Sequence, residues 1–151
     1  VVHEDRANFC FAMSAADESA PTWKEALLAG QVDLSLAHQA ATLQAAFFRL
    51  PQLAKRFAAL ERFEQLRLAP YYRWTAQKHP DLAPAFETAI AQAREQRCAL
   101  THGDWSPKNF LINPGPQLFS IDYEVMHWGD PSFDAAFLLN HFLLKGWHRA
   151  G

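Results

Sequence analysis

Three oxygen-bearing side chains in the second half of the chain have types and spacing that suit phosphoryl transfer. They are Asp104, Asn109 and Asp122. Asn and Asp oxygens are hard ligands that suit Mg²⁺, which takes one or two protein carboxylates and fills its shell with water and phosphate. A carboxylate outside the metal shell, here Asp104, is free to accept a proton from a hydroxyl group or to orient it. This combination favours phosphoryl transfer, in which the protein mainly positions groups and neutralises charge.

The convergence of these side chains depends on a predicted β-hairpin. Two short apolar runs, residues 110–112 and 118–121, are joined by Asn-Pro-Gly-Pro-Gln, which strongly favours a turn. If the two runs pair as strands, Phe110 faces Ile121, and the two candidate metal ligands lie side by side at the open end. The polar loop that carries the candidate base enters the same end of the hairpin.

The segment 101–109 (Thr-His-Gly-Asp-Trp-Ser-Pro-Lys-Asn) resembles the catalytic segment of the protein-kinase-like fold. Its Asp-to-Asn spacing equals that of protein kinases, and its His-Gly-Asp is more similar to the aminoglycoside phosphotransferase family. In that family a metal-binding Asp follows in an Ile-Asp context, as at Asp122, and a Gly-Asp-Pro-x-x-Asp signature follows, as at 129–134. Residues 121–124 (Ile-Asp-Tyr-Glu) are also similar to choline and ethanolamine kinases. The resemblance extends over nearly the whole chain.

The resemblance implies a role for each matching residue around the reaction. Asp104 would be the catalytic base or the residue that orients the hydroxyl, and Asn109 and Asp122 would bind Mg²⁺. His102 would be structural and would brace the loop. The implied cofactors are ATP and Mg²⁺, and the implied partner is a small molecule with a hydroxyl acceptor.

Five further residues receive roles, and for all of them except Asp134 an alternative stays open. Asp130 and Asp134 would anchor the loop to the following helix, although a plain helix cap explains Asp130 equally well. Lys108 would approach a phosphate or remain a solvated lysine. Glu124 would lie near the metal or a cationic acceptor, or would be an exposed loop carboxylate. Trp105 would line the acceptor site or pack the loop.

The resemblance also implies an α+β fold, the mostly helical C-terminal lobe of a protein-kinase-like fold with two short hairpins. Residues 1–15 would be a remnant of the small lobe, namely its last strands and the hinge to the large lobe. Residues 16–151 would form the helical large lobe, truncated at its C-terminus. The backbone that meets the adenine of ATP would belong to three hinge residues, Met13, Ser14 and Ala15.

The nucleotide site implied by the resemblance is incomplete in the sequence given. Such kinases need a phosphate-covering loop and a lysine on a following small-lobe strand. The glycines do not form a Gly-rich loop, and no lysine precedes Lys24. We therefore expect a fragment that lacks most of the N-terminal lobe and is inactive on its own.

Hydrophobic periodicity and turn residues predict the elements that must position these side chains. A short hairpin comes first, and a polar linker at 14–19 follows it. The later predictions are a helix between Pro21 and Gly30, a helix capped by Asp33, a helix whose face is Leu53, Phe57, Leu60 and Phe63, a helix from a cap at Asp81 to about Arg97, a strand at 98–101, and a helix that follows Asp130-Pro131.

Composition excludes several other classes of protein. Of 151 residues, 50% are hydrophobic, which excludes a disordered chain. The net charge of −2 argues against a general nucleic-acid binder. No apolar run approaches the roughly 20 residues of a membrane helix. Cys10 and Cys98 lie far apart, which predicts free thiols and a cytoplasmic protein.

Three functions remain open at this point. The first is an ATP- and Mg²⁺-dependent kinase that phosphorylates a hydroxyl group of a small molecule. The second is a catalytically incomplete remnant of a kinase fold that binds a nucleotide or a protein partner. The third, a metal-dependent phosphohydrolase, is disfavoured because two-metal hydrolases usually have more His and Asp ligands. The sequence specifies neither the acceptor nor the oligomeric state.

Overall fold

The computed structural model describes residues 2–115 and 117–150. Several predictions include Val1, Pro116 or Gly151, and these three positions lie outside the described residues. The strands are β1 (His3–Asp5), β2 (Cys10–Ala12), β3 (Ala99–Thr101), β4 (Phe110–Asn113), β5 (Gln117–Ser120) and β6 (His127–Gly129). The helices are α1 (Trp23–Leu28), α2 (Leu34–Phe47), α3 (Glu61–Phe63), α4 (Trp74–Lys78), α5 (Ala83–Glu95) and α6 (Ser132–Ala150).

The strands described form three separate antiparallel pairs, and the rest of the fold is mainly helical. β1 pairs with β2, β3 pairs with β6, and β4 pairs with β5. The mixture of helices and small antiparallel sheets agrees with the predicted α+β class. The β3–β6 pair was not predicted, because β6 is only three residues long and its partner precedes it by a long stretch of chain.

Two hydrophobic clusters hold the helices and the central loop together. The first contains Trp23, Leu36, Ala40, Phe47, Leu100, Trp105 and Phe110, so it joins α1 and α2 to the segment that precedes β4. The second contains Phe63, Leu68, Ile90, Val125 and Phe133. The loop at 102–109 contributes a residue to the first cluster and, through Gly103, contacts the second. Loop position is therefore fixed by packing on two sides.

Polar N-cap residues, Thr22 and Asp33, precede the first two helices. Thr22 accepts a hydrogen bond from the amide of Glu25, and the Glu25 carboxylate accepts one from the amide of Thr22, which forms a capping box. Asp33 caps α2, as predicted, by accepting a hydrogen bond from the amide of Ser35 at 2.8 Å. Pro21 lies before the Thr22 cap rather than in the first helical turn, because its carbonyl accepts a hydrogen bond from Ile112.

The single helix predicted from the spacing of Leu53, Phe57, Leu60 and Phe63 is wrong. A 3₁₀ turn at Pro51–Leu53 is followed by irregular chain, and α3 begins only at Glu61. The carbonyl of Phe57 accepts a hydrogen bond from the amide of Trp128, and the carbonyl of Ala58 accepts one from Arg97. Because tertiary partners take these carbonyls, the apolar side chains divide between the two clusters instead of sharing one helix face.

The boundaries predicted for α5 are also corrected. Asp81 belongs to a 3₁₀ turn, Pro80–Leu82, and does not cap the helix, which begins at Ala83 without a side-chain cap. The helix ends at Glu95 rather than near Arg97. Arg97 instead donates a hydrogen bond to the carbonyl of Trp128, which ties the end of α5 to β6.

The hairpin β4–β5 forms as predicted, but its register differs by one residue. Phe110 pairs with Ser120, not with Ile121. The two predicted runs differ in length by one residue, and the ladder pairs their inner ends, Ile112 with Leu118, so Ile121 lies beyond Phe110. Asn113 also pairs with Gln117, which shortens the loop between the strands. Gly115 takes a left-handed conformation in this tight loop, with a φ of 86°.

The cysteines and the helices each bear on one further sequence-based prediction. Cys10 and Cys98 are free and exposed, in agreement with the predicted absence of a disulfide between them. Within the described residues, no helix has both the length and the apolar character that crossing a membrane requires.

We expect Thr22→Ala to lower the free energy of unfolding by about 1 kcal/mol, because it removes the cap of α1. Thr88→Ala is the matched control, since Thr88 lies within α5 and bonds only to the carbonyl of Pro84. Urea unfolding of the two variants measures the difference. Equal midpoints for the two variants would contradict the role assigned to the capping box.

Candidate active site

The buried carboxylate of Asp134 anchors the backbone of the candidate catalytic loop. Asp134, on the first turn of α6, is 0% exposed and accepts hydrogen bonds from the amides of His102 at 2.7 Å and Gly103 at 2.9 Å. Burial raises the pKa of the Asp134 carboxyl to about 7, against the opposing effect of the two amide donors. The two bonds fix the backbone immediately before Asp104.

Gly103 occupies a position that requires glycine for two reasons. Its φ of 79° lies in the left-handed region. A Cβ at this position would also lie 2.8 Å from the Val125 side chain and from the Val125 carbonyl oxygen. The Gly of the His-Gly-Asp motif therefore allows the loop to approach the second cluster closely.

His102 joins the loop to the segment that carries Asp122. Its Nε2 lies 3.1 Å from the carbonyl oxygen of Ile121, and its Nδ1 accepts a hydrogen bond from the amide of Asp104 at 3.3 Å. This pattern requires the proton on Nε2. Burial lowers the pKa of His102, which favours the neutral ring. The ring thus bridges the backbone on both sides of the site.

Asp104 is a buried carboxylate balanced by two cations. Its side chain is 7% exposed, and its Oδ2 lies 2.9 Å from Arg67 Nη2 and 2.9 Å from Lys108 Nζ. Burial on its own would raise the pKa of Asp104, but the hydrogen bond from Lys108 and the charge of Arg67 together outweigh it. The pKa is therefore lowered. Asp104 is ionised at neutral pH and its position is fixed by both partners.

Asn109 is held against the catalytic loop. Its side-chain amide donates to the carbonyl of Asp104 at 2.9 Å, and its backbone carbonyl accepts the amide of Ile121 at 2.9 Å. With the NH₂ group engaged, Oδ1 is the atom of this side chain that suits a cation. Asn109 therefore stands opposite Ile121, and the predicted side-by-side placement with Asp122 is wrong by one residue.

Asp122 lies just beyond the hairpin, one residue after the hydrogen bond between Ile121 and Asn109. It is exposed and has a φ of 67°, a left-handed conformation that Asp tolerates better than most residues. The carboxylate is therefore carried by irregular chain between β5 and the turn that Tyr123 and Met126 close. The hydrogen bond from His102 to the carbonyl of Ile121 fixes the start of this irregular chain.

The other predicted residues lie at different depths. Trp105 is 1% exposed and packs edge-on against Phe47 and Phe110, so it belongs to the first cluster. Glu124 is exposed and lies 3.9 Å from Arg62. Asp130 accepts a hydrogen bond from the amide of Ser132 at 2.9 Å, as a helix cap does. The predicted hinge is exposed and irregular at Met13, Ser14 and Ala15.

Arg67 is the site residue that sequence reasoning missed. Its Nε donates to the carbonyl of Gly103 at 2.6 Å while its Nη2 pairs with Asp104. Arg67 lies in a π-helical segment, Glu64–Arg73, that continues α3 and contains Pro70. One signal was available: Arg67 stands between Leu66 and Leu68 in a helical stretch, and a buried arginine needs an anionic partner. The partner itself is not readable from spacing.

Among the residues that the structure describes, no group of three His, Cys, Asp or Glu is placed to hold a metal ion. Mg²⁺ can be held by fewer protein groups, such as an Asn oxygen and one carboxylate, when the oxygens of a phosphate complete its shell.

Comparison with known proteins gives one match. The model of a family described as the phosphotransferase enzyme family matches residues 14–149. Searches of curated proteins and of solved structures each found no match. The family match confirms the resemblance to aminoglycoside phosphotransferases and choline kinases that was inferred from the motifs.

We expect Asp134→Ala to lower the free energy of unfolding by about 3 kcal/mol, because it leaves the buried amides of His102 and Gly103 without an acceptor. Asp130→Ala, which removes a cap at the start of the same helix, should cost about 1 kcal/mol. Denaturant unfolding measures both values. A loss no larger for Asp134→Ala than for Asp130→Ala would contradict the anchoring role.

The raised pKa of Asp134 predicts a pH dependence of stability. The carboxyl titrates near 3.8 when unfolded and at about 7 when folded, so in this window the folded chain holds a proton that the unfolded chain has released. Its contribution to stability is complete below the unfolded pKa and is lost as pH rises through the folded pKa. The stability of the native protein relative to Asp134→Asn should therefore fall between about pH 4.5 and about pH 7.5.

Denaturant unfolding of the two proteins at a series of pH values measures this difference. Asp104, whose pKa is shifted in the other direction, is present in both proteins and largely cancels in the comparison. Parallel stability curves for the two proteins would show that Asp134 does not titrate in this range.

Proposed function

The chain belongs to the phosphotransferase enzyme family, and on that premise we propose that it transfers the γ-phosphate of ATP to a hydroxyl group of a small molecule. The observation that carries the proposal is the placement of Asp104. Asp104 is an ionised, buried carboxylate on a loop that Asp134 anchors. The side-chain amide of Asn109 donates a hydrogen bond to the backbone carbonyl of Asp104. This arrangement suits a reaction in which positioning is the main contribution of the protein.

Asp104 would orient the acceptor hydroxyl and take its proton. Both cations pair with Oδ2, which supports Oδ1 as the acceptor of the hydroxyl hydrogen bond. A carboxylate with a lowered pKa is a weak base, so it suits proton transfer that occurs late, as the new bond to phosphorus forms.

The proposed reaction exchanges one bond to the γ-phosphorus for another. The acceptor oxygen forms a bond to the γ-phosphorus while the bond from that phosphorus to the bridging oxygen breaks. The hydroxyl proton moves to the Asp104 carboxylate, and ADP leaves with the electron pair of the broken bond. Lys108 has an exposed side chain beside this carboxylate and would neutralise charge on the transferred phosphoryl group.

The residues present fit a magnesium ion bound together with a nucleotide. Asn109 Oδ1 and the exposed carboxylate of Asp122 are hard oxygen donors, and Mg²⁺ requires few protein ligands when phosphates supply the others. Mg²⁺ bound there would neutralise charge on the phosphates of ATP. His102 would keep the two segments that carry these ligands at a fixed separation.

The lobe assignment is part of the same proposal. The exposed hairpin β1–β2 would belong to the small lobe, and the helical remainder from residue 16 would form the large lobe. The backbone of Met13, Ser14 and Ala15 would meet the adenine. The exposure of these three residues leaves their backbone groups accessible to a ligand.

We expect Asp104→Asn in the complete protein to reduce ADP release by about 10²–10⁴-fold, because the variant cannot take the hydroxyl proton. The assay measures ADP release with Mg²⁺, ATP and a panel of hydroxyl acceptors that includes aminoglycosides, sugars, amino alcohols, hydroxy acids and phosphorylated alcohols. Asp81→Asn is the control, since Asp81 is an exposed aspartate in a 3₁₀ turn.

Asp122→Asn provides an independent readout of the metal site. It should raise the Mg²⁺ concentration needed for half-maximal nucleotide binding, while circular dichroism shows an unchanged fold. Full ADP release by Asp104→Asn would overturn the role of Asp104, and an unchanged Mg²⁺ requirement in Asp122→Asn would overturn the metal assignment.

A further inference from the structure

A basic pocket lies beside the candidate base. It has a volume of about 200 Å³ and is lined by Lys24, Lys108, His141, Leu144 and Lys145. These residues come from three parts of the fold: α1, the catalytic loop and α6. Four of the five lining side chains are cationic or can become so, and the lining contains no acidic residue.

The pocket has an excess of positive charge that the protein itself does not neutralise. Lys24 and Lys145 form no ion pair with any carboxylate within the described part of the chain. Lys145 Nζ lies 3.4 Å from His141 Nδ1, so a cation faces an imidazole rather than an anion. Unpaired lysines that converge on one cavity are a recognition surface for an anion.

Burial and the crowding of like charges both act on the pKa values of two pocket residues, Lys145 and His141. Burial, and then the charge of Lys24, lower the pKa of Lys145. Burial, and then the charge of Lys145, lower the pKa of His141. Burial and neighbouring cations thus destabilise the charged forms of Lys145 and His141, and a bound anion would relieve that repulsion.

The pocket is linked to the candidate base through Lys108, and the candidate metal ligands are not part of its lining. Lys108 both lines the pocket and lies 2.9 Å from Asp104 Oδ2. Neither Asn109 nor Asp122 contributes to the lining. A ligand that extends past Lys108 would therefore reach the carboxylate that takes the hydroxyl proton, from the side that lacks the residues proposed to hold Mg²⁺.

We propose that the hydroxyl acceptor carries an anionic group, a carboxylate or a phosphate, and that this group binds among Lys24, Lys108 and Lys145. The inference rests on the proposed function, since it assigns an acceptor to that reaction. Lys24 and Lys145 act as specificity-determining residues: they bind the anionic end of the acceptor while its hydroxyl group lies at Asp104. A cationic amine would be repelled from the same pocket.

Anion binding to the complete protein tests the proposal directly. Calorimetric titration with inorganic phosphate and, separately, with acetate, in the absence of nucleotide, measures the affinity. We expect Lys24→Met and Lys145→Met each to weaken binding of the preferred anion by about tenfold, since each removes one charge-assisted contact. Lys55→Met is the matched control, because Lys55 is exposed and lies outside the pocket.

The comparison of the two anions separates the two sources of negative charge. Tighter binding of phosphate indicates a phosphorylated acceptor, and tighter binding of acetate indicates a hydroxy acid. Affinities that do not differ between Lys55→Met and the two pocket variants would overturn the proposal. Displacement of the bound anion by saturating Mg²⁺ and ADP would also overturn it, because the lysines would then serve the nucleotide.

The ADP-release assay distinguishes failure of this inference from failure of the proposed function. Release that depends on Asp104 but is unaffected by Lys24→Met and Lys145→Met leaves the function standing and removes the anionic acceptor. For an anionic acceptor we expect Lys145→Met to raise KM about tenfold with little change in kcat, because the contact is made equally in the ground state and the transition state.

Discussion

The two hydrogen bonds that the Asp134 carboxylate accepts from the catalytic loop are the constraint on which the site depends. They join the start of α6 to the backbone just before Asp104, across a distance in sequence of more than thirty residues. Because buried loop amides have no regular partner in a helix or sheet, they need another acceptor, and here the Asp134 carboxylate supplies it. Asp134 therefore converts an irregular segment into a rigid one, and the two hydrophobic clusters hold it from either side.

The charges around this anchor are arranged so that two nearby carboxyl groups behave differently. Asp134 has no cationic partner in direct contact among the ion pairs described, and burial raises its pKa to about 7. Asp104 is also buried, but Arg67 and Lys108 keep its pKa low. Environments that separate the pKa values of two carboxyls give them separate roles. Here one carboxyl supports the backbone, and the other is kept ionised and available for chemistry.

Local signals in the sequence were enough to predict the elements nearest the site but not the contacts between them. The turn residues predicted the β4–β5 hairpin, and Asp33 predicted the start of α2, since both depend on neighbouring residues. The predicted register of the hairpin was wrong by one, because the two apolar runs differ in length by one residue and the prediction paired their outer ends. Arg67 and β6 were missed for a different reason. Their partners, Asp104 and β3, are distant in sequence, and neither spacing nor periodicity reports such pairs.

The π-helical segment Glu64–Arg73 makes the site sensitive to a kind of sequence change that surface helices usually tolerate. Its wider turns change the angular position of Arg67 relative to the rest of the helix. Loss of one residue between Arg67 and α4 would change the rotation and the rise that separate the two. Exposed side chains along the segment can therefore be exchanged, whereas a change in its length would displace the cation that partners Asp104.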